Sequence, residues 1–207
     1  KESATDWGSK PVAVAERVKS EGFVLSTTML RKQPTLDKRV DDPNDDEEKQ
    51  VSNWLATLYR GEIITLLKKE GDWWHVDIMG EKKGWLRQES VLVGDEVHMK
   101  ALLSEARVFR RADLLSLENG KKLPTGSLLF SRRSNEQFTR VNYPRGAYTS
   151  SEAWVLTNKL SDDSRELAAS KILTKIRNLA DKKNQAVLQE MVSLARESFP
   201  DAELLEY

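Results

Sequence analysis

Short apolar runs set the texture of the chain. FVLSTTMLR from Phe23, EIITLL from Glu62 and WWHVDI from Trp73 are rich in Val, Ile, Leu, Thr and Trp, with Gly, Asp and Lys between them. Runs of this kind with such punctuation predict short strands, and several in succession predict a small barrel. The stretch from Leu102 to Leu160 has the same texture. The period changes at both ends. Ser9-Lys10-Pro11 followed by VAVAERVKSEG predicts a short helix, with Ser9 as N-cap, Pro11 in the first turn and Gly22 ending it. After Ser161 the apolar positions fall at helical spacing: Leu167, Ile172, Ile176 and Leu179, then Val187, Leu188, Met191, Leu194 and Ala195, with DKKN as the break. Two such runs predict a helical hairpin that packs on the barrels or on itself, with a pair of partner-binding helices as the alternative; the mixture of acids and bases on their polar faces argues against a membrane-surface helix.

The two strand-rich stretches read as one unit used twice. With Gly61 placed on Gly126, Leu58 falls on Leu123, Trp73 on Phe138 and Val76 on Val141. Trp85 then corresponds to Trp154 after an insertion of four residues in the second copy, and Val91 and Leu160 each follow six positions later. Leu30-Arg31 matches Phe109-Arg110, with 31 residues from Leu30 to Gly61 against 17 from Phe109 to Gly126. Constant spacing in strands and length changes in loops are what a duplicated fold leaves behind. Trp85 and Trp154 are expected to fill the two cores. In WWHVDI the alternation of a strand puts Trp74 on the core face with Val76, and Trp73 on the opposite face with His75.

VLSTTMLRKQPT and LYRGEIITLLKKEGDWWHVDIMGEKKGWLRQESVL together resemble bacterial Src-homology-three (SH3-like) domains: an apolar-x-Arg-x-x-Pro run, a Gly-x-apolar-apolar turn, a Trp-led strand, a hairpin and Gly-Trp-apolar. The resemblance implies a mainly β chain with an α-helical tail: two tandem SH3-like small β-barrels of about five strands each, then a C-terminal helical hairpin. The expected divisions are 1–22, 23–95, 96–161 and 162–207. In eukaryotic relatives the first Trp of a comparable pair lines a ligand groove, which the resemblance carries to Trp73. The expected ligand-binding residues are therefore Trp73, Tyr59, and Asp45 and Asp46 of the acidic run beside them.

That run, Asp41 to Glu48, holds six acids in eight residues and is expected to be solvated and metal-free, since it lacks the glycine and distal Glu of a calcium loop. Lys+Arg and Asp+Glu are both 33, which argues against a nucleic-acid partner. The chain has no cysteine, so thiolate catalysis, disulfides and Cys-bound zinc are excluded. His75 and His98 have no motif around them, and no metalloprotease, serine-hydrolase or phosphate-loop signature occurs. No catalytic residue, metal or cofactor is therefore expected. The resulting expectation is a non-catalytic binding or scaffold protein of the bacterial cell envelope, not an enzyme, whose partner is a cell-wall (peptidoglycan) peptide or another protein. The first residue is Lys1, which with the resemblance implies export; membrane contact is expected only through a lost N-terminal lipid anchor, as in a lipoprotein. The alternatives are a hydrolase with an unrecognised carboxylate-based site and a cytosolic protein-interaction adaptor.

Overall fold

The computed structural model describes residues 20–41, 50–94, 97–146, 148–180 and 185–205. The chain runs through β1 (Ser20–Val24), β2 (Thr28–Arg31), the small hairpin β3 (Arg39–Asp41) and β4 (Gln50–Ser52), then β5 (Trp54–Leu58), β6 (Ile63–Glu70), β7 (Trp73–Ile78), β8 (Lys82–Arg87) and β9 (Val91–Val93). The second half repeats the series with β10 (His98–Leu102), β11 (Ala106–Phe109), β12 (Leu117–Leu123), β13 (Leu128–Ser134), β14 (Phe138–Pro144), β15 (Ser150–Leu156) and β16 (Leu160–Ser161). Two helices follow, α1 (Ser164–Ala180) and α2 (Gln185–Ser198). The described residues are mainly β with two α-helices.

Two seven-stranded antiparallel sheets share one topology. Their orders are β5-β2-β8-β7-β6-β1-β9 and β12-β11-β15-β14-β13-β10-β16, the same pattern strand for strand. Leu58 of edge strand β5 and Val91 of edge strand β9 meet in one core with Val24, Leu30, Ile64, Leu66, Val76 and Leu86. Residues from opposite edges can share a core only if the sheet curls over it. Each copy is thus an open, curled sheet of seven strands, where about five were expected.

The correspondence extends to single hydrogen bonds. Gly61 N donates to Val24 O at 2.9 Å, and Gly126 N donates to Leu102 O at 2.7 Å. Glu62 N donates to Tyr59 O, and Ser127 N to Pro124 O, both at 3.2 Å. These bonds close β-turns whose third residue has a positive φ, 88° at Gly61 and 72° at Gly126, where a side chain is strained. The upstream alignment moves by one residue. Arg31 pairs with Trp85 and Phe109 with Trp154, so Arg31 corresponds to Phe109, and Leu30 to Val108. A bulge between Leu30 and Arg31 displaces the register there.

Other expectations are also corrected. Ser20 to Gly22, expected as the end of a helix, lie in β1, with Gly22 opposite Ile64 and Val93; Lys1 to Lys19 are outside the described residues. Trp85 and Trp154 do not join the two cores. In β8 it is Leu86 that faces the core, while Trp85 lies on the other face, its ring 4.8 Å from that of His75. In β15 the core residue is Val155, beside half-buried Trp154. His98 begins β10.

The helices fold back on the second sheet, as a packed hairpin should. Ala169 and Ala195 meet Ala101 of β10 in a third core with Ala202, Leu204 and Leu205. Small residues let the backbones approach closely. The buried Glu166 carboxylate accepts from Glu203 N and Leu204 N, fixing the C-terminal turn against α1. Ser170 Oγ donates to Gly126 O at 3.1 Å, and Arg177 donates to Thr125 O. In this way α1 is anchored on the second copy's turn, and its outer flank reaches the first copy.

Candidate functional site

Where α1 passes the Tyr59–Glu62 turn, a cleft of 370 Å³ opens. Its apolar wall comes from Ile63, Ile78, Met79 and Ile172. Its polar residues are Tyr59, Arg60, Glu62, Lys171 and Lys175. Gly61 makes the close approach of helix and turn possible: a Cβ there would lie 2.2 Å from Leu128 Cδ2 and 3.5 Å from Lys171 Cγ.

The turn fixes the acid. Tyr59 N donates to Glu62 Oε1 at 3.2 Å, so the carboxylate is held beside the turn's own backbone. Burial raises the Glu62 carboxyl above the usual range; the Tyr59 N–H and the charges of Lys175 and Lys171 oppose this without cancelling it. Lys171 is half-buried on α1, and burial lowers its ammonium below the usual lysine range, with Glu62 pulling the other way. Lys175, one helical turn on, is exposed and sits 5.0 Å from the centroid of the Tyr59 ring. The cleft therefore holds a carboxyl and an amine whose surroundings move their proton affinities toward each other.

Met79 is unusual. It is 82% exposed and has φ 51°, the one non-glycine residue with positive φ among those described. Glu81 N donates to Ile78 O at 2.9 Å and Gly80 N to Asp77 Oδ1 at 2.9 Å, which hold the hairpin tip in this form. A left-handed side-chain residue costs about 1–2 kcal/mol. The hairpin carries that cost while presenting a large apolar side chain to solvent at the rim of the cleft.

Of the residues expected from the sequence, Tyr59 lines this cleft. Trp73 does not: it pairs with Glu70 at the far end of β6, a strand whose eight residues span roughly 23 Å. Trp73 is half-buried, with the Arg87 guanidinium 5.8 Å from its ring centroid. Trp74 packs against the first core, on the face it shares with Val76 and Ile78. Arg87 also lines a groove of 500 Å³ that Glu89, Arg31 and Tyr148 border. Asp45 and Asp46 lie outside the described residues. Among the described residues no cluster of three or more His, Cys, Asp or Glu side chains could hold a metal ion.

Glu62, Lys171 and Lys175 were not singled out by sequence. Their one signal is that Glu62 follows the repeat glycine where the second copy has Ser127, and that the two lysines stand four apart in an amphipathic helix.

No family model and no curated protein matches the chain. Solved structures similar to it include NlpC2 from Trichomonas vaginalis, at 17% identity and a TM-score of 0.27 over 78% of this chain and 56% of that one. NlpC1 from Trichomonas vaginalis gives 19% identity and 0.26 over 77% and 54%. An NlpC/P60 endopeptidase from Photobacterium damselae subsp. piscicida gives 16% and 0.38 over 88% and 44%. The chain spans about half the length of these structures. None of the three is named as a bacterial Src-homology-three protein, one is named as an endopeptidase, and no family model supports the former assignment. The expectation of an SH3-domain lipoprotein acting as a non-catalytic scaffold, not an enzyme, is corrected accordingly. The non-catalytic part of that expectation rested on missing local motifs, and a local motif cannot register groups that only folding brings together.

Proposed function

We propose that this chain works in the hydrolysis of cell-wall peptides in the bacterial envelope, and that the cleft between the Tyr59–Glu62 turn and α1 carries the peptide. The observation behind this reading is the pair Glu62 and Lys171, an acid raised and an amine lowered beside one apolar-walled cleft. The endopeptidase among the similar structures gives the reading its substrate class. A thiolate nucleophile cannot come from this sequence, which has no cysteine. Bond cleavage in the cleft then falls to water. Ionised Glu62 takes a proton from a water molecule as its oxygen bonds to the peptide carbonyl carbon. The Lys171 ammonium hydrogen-bonds to the carbonyl oxygen as negative charge develops there. The C–N bond breaks, and the proton held by Glu62 passes to the leaving nitrogen. The strand-rich units 23–95 and 96–161 and the hairpin 162–207 act together in this reading, since the cleft needs a turn from the first and a helix from the last. No helix among the described residues is long and apolar enough to cross a membrane, and the reading requires neither a lipid anchor nor a protein partner.

The test is incubation of the chain with purified cell-wall peptides, followed by mass spectrometry of the products and a parallel measurement of peptide binding. New peptide fragments are expected, lost by at least tenfold in Glu62→Gln while binding persists. Absence of new fragments would overturn the hydrolytic reading, whether or not the peptides bind.

A further inference from the structure

The cleft is asymmetric, and its asymmetry has the dimensions of a chain end. Lys171 and Lys175 stand on one face of α1, about 6 Å apart along the axis. Lys171 is half-buried next to Glu62, whereas Lys175 is exposed, with its ammonium over the Tyr59 ring. Ile172 lies between the two lysines in sequence, and Met79 and Ile78 complete an apolar wall on the hairpin side. In an extended peptide the terminal carboxylate follows the previous carbonyl by one residue, about 3.8 Å from Cα to Cα. Two lysines on flexible stems, one helical turn apart, match those two groups.

Resting on the reading above, we infer that the cleft recognises the C-terminal end of a peptide: the terminal carboxylate on Lys175, the last carbonyl before it on Lys171, and an apolar last side chain against Met79, Ile78 and Ile172. The charge is complementary, because Arg60, Lys171 and Lys175 stand in the lining against Glu62 and leave a positive excess for the ligand's carboxylate. The exposed, left-handed Met79 gains a partner in this arrangement, which gives its strained turn a use. Cleavage at that carbonyl consumes one water, breaks the last C–N bond, and yields a shortened peptide with a new carboxylate and one free amino acid. The cleft is thereby assigned a terminal specificity: it removes the last residue and does not cut within a chain.

The experiment uses two probes on the full chain, acetyl-Ala-Ala-Leu with a free carboxylate and the same peptide as its C-terminal amide, with affinities from NMR titration. The free acid is expected to bind at least tenfold more tightly than the amide. Lys175→Gln should erase most of that difference, Met79→Ala should weaken both probes about threefold, and Lys122→Gln, on the distant edge strand β12, should change neither. Equal binding of acid and amide to the unmodified chain would overturn the inference, as would a full preference retained in Lys175→Gln. Free leucine released from the acid probe supports terminal cleavage, and cuts inside longer wall peptides with no terminal release overturn it. Tighter binding of the acid together with no cleavage of any peptide would sink the hydrolytic reading and leave terminal recognition standing, so the two failures are distinguishable.

Discussion

The Arg60 guanidinium donates from Nη2 to the backbone oxygen of Asn142 at 2.7 Å, and so a side chain of the first sheet's turn holds a strand of the second. Its Nε donates to Leu128 O at 2.9 Å, its Nη1 to Leu25 O and to Asn142 Oδ1, and its Cζ lies 4.5 Å from the Phe130 ring centroid. No carboxylate takes part. Burial lowers this guanidinium to about 9, which leaves it charged at neutral pH, held by carbonyl oxygens and a ring face. Arg60→Ala strands several buried acceptors at once and should cost about 2–4 kcal/mol in urea unfolding followed by Trp fluorescence. Arg60→Lys should recover little, because one ammonium cannot reach acceptors spread around a planar fork. A loss under about 1 kcal/mol for Arg60→Ala would mean that the two sheets are joined mainly by other contacts.

The two repeat glycines should differ in their tolerance of a methyl group. Gly61→Ala adds the left-handed penalty to a Cβ placed 2.2 Å from Leu128, which is fully buried and cannot retreat. Together these should cost about 2–4 kcal/mol. Gly126→Ala meets the tip of the half-buried Leu173 side chain, Cδ1 at 2.6 Å, which can turn aside, so its cost should be smaller. Gly71→Ala, at φ 54° with nothing within 4 Å, should cost only about 1 kcal/mol. The order Gly61, Gly126, Gly71 in melting temperature is the check.

The repeat was legible because its signals are local: a glycine forced by a turn, and core residues at fixed spacing from it. Where a bulge intervened, as between Leu30 and Arg31, the alignment slipped by one residue. The face of Trp85 was not legible, because Gly84 and Trp85 are buried beside Leu86 and an apolar run buried on both faces does not say which side is the core. Ser20 to Gly22 read as helix because their strand partners, Ile64 to Leu66 and Val93, are remote in sequence. The Glu62–Lys171 cleft was invisible for the same reason. Tyr59 was singled out, but with Trp73 as its companion, and the length of β6 separates them.

The adjacent tryptophans give a test of the faces. Trp74 packs on the first core, and its counterpart Thr139 is buried, with its hydroxyl 2.9 Å from that of Thr157. Trp73 lies on the opposite face, under the Arg87 guanidinium. Trp74→Ala should cost about 2–3 kcal/mol, somewhat less than a fully enclosed ring would. Trp73→Ala should cost about 1 kcal/mol, the scale of a cation–π contact with modest burial. The reverse order in denaturant unfolding would invert the assignment of faces.

Glu62 and Lys171 predict the pH response of both stability and activity. The folded Glu62 carboxyl titrates above its unfolded value, so its stabilising contribution is full below the ordinary carboxyl range and is lost as pH rises through the raised value. The folded Lys171 ammonium titrates below its unfolded value, so its contribution is present above the ordinary lysine range and is lost as pH falls through the lowered value. Between the two both groups are charged, and each is held in a site that disfavours its charge. Glu62→Gln keeps an acceptor for the Tyr59 N–H and removes the buried charge. It should therefore raise the melting temperature at about pH 7, and the gain should vanish at about pH 3, where the unmodified carboxyl is itself protonated. Peptide cleavage should run opposite to stability. It needs Glu62 ionised and Lys171 protonated, so kcat/KM should rise through the raised carboxyl value and fall again before the ordinary lysine range, a bell whose acid limb disappears with the activity in Glu62→Gln. A melting temperature that falls at neutral pH in Glu62→Gln would show that attraction to the lysines outweighs burial at this carboxylate, and that its titration is not displaced in the direction catalysis requires.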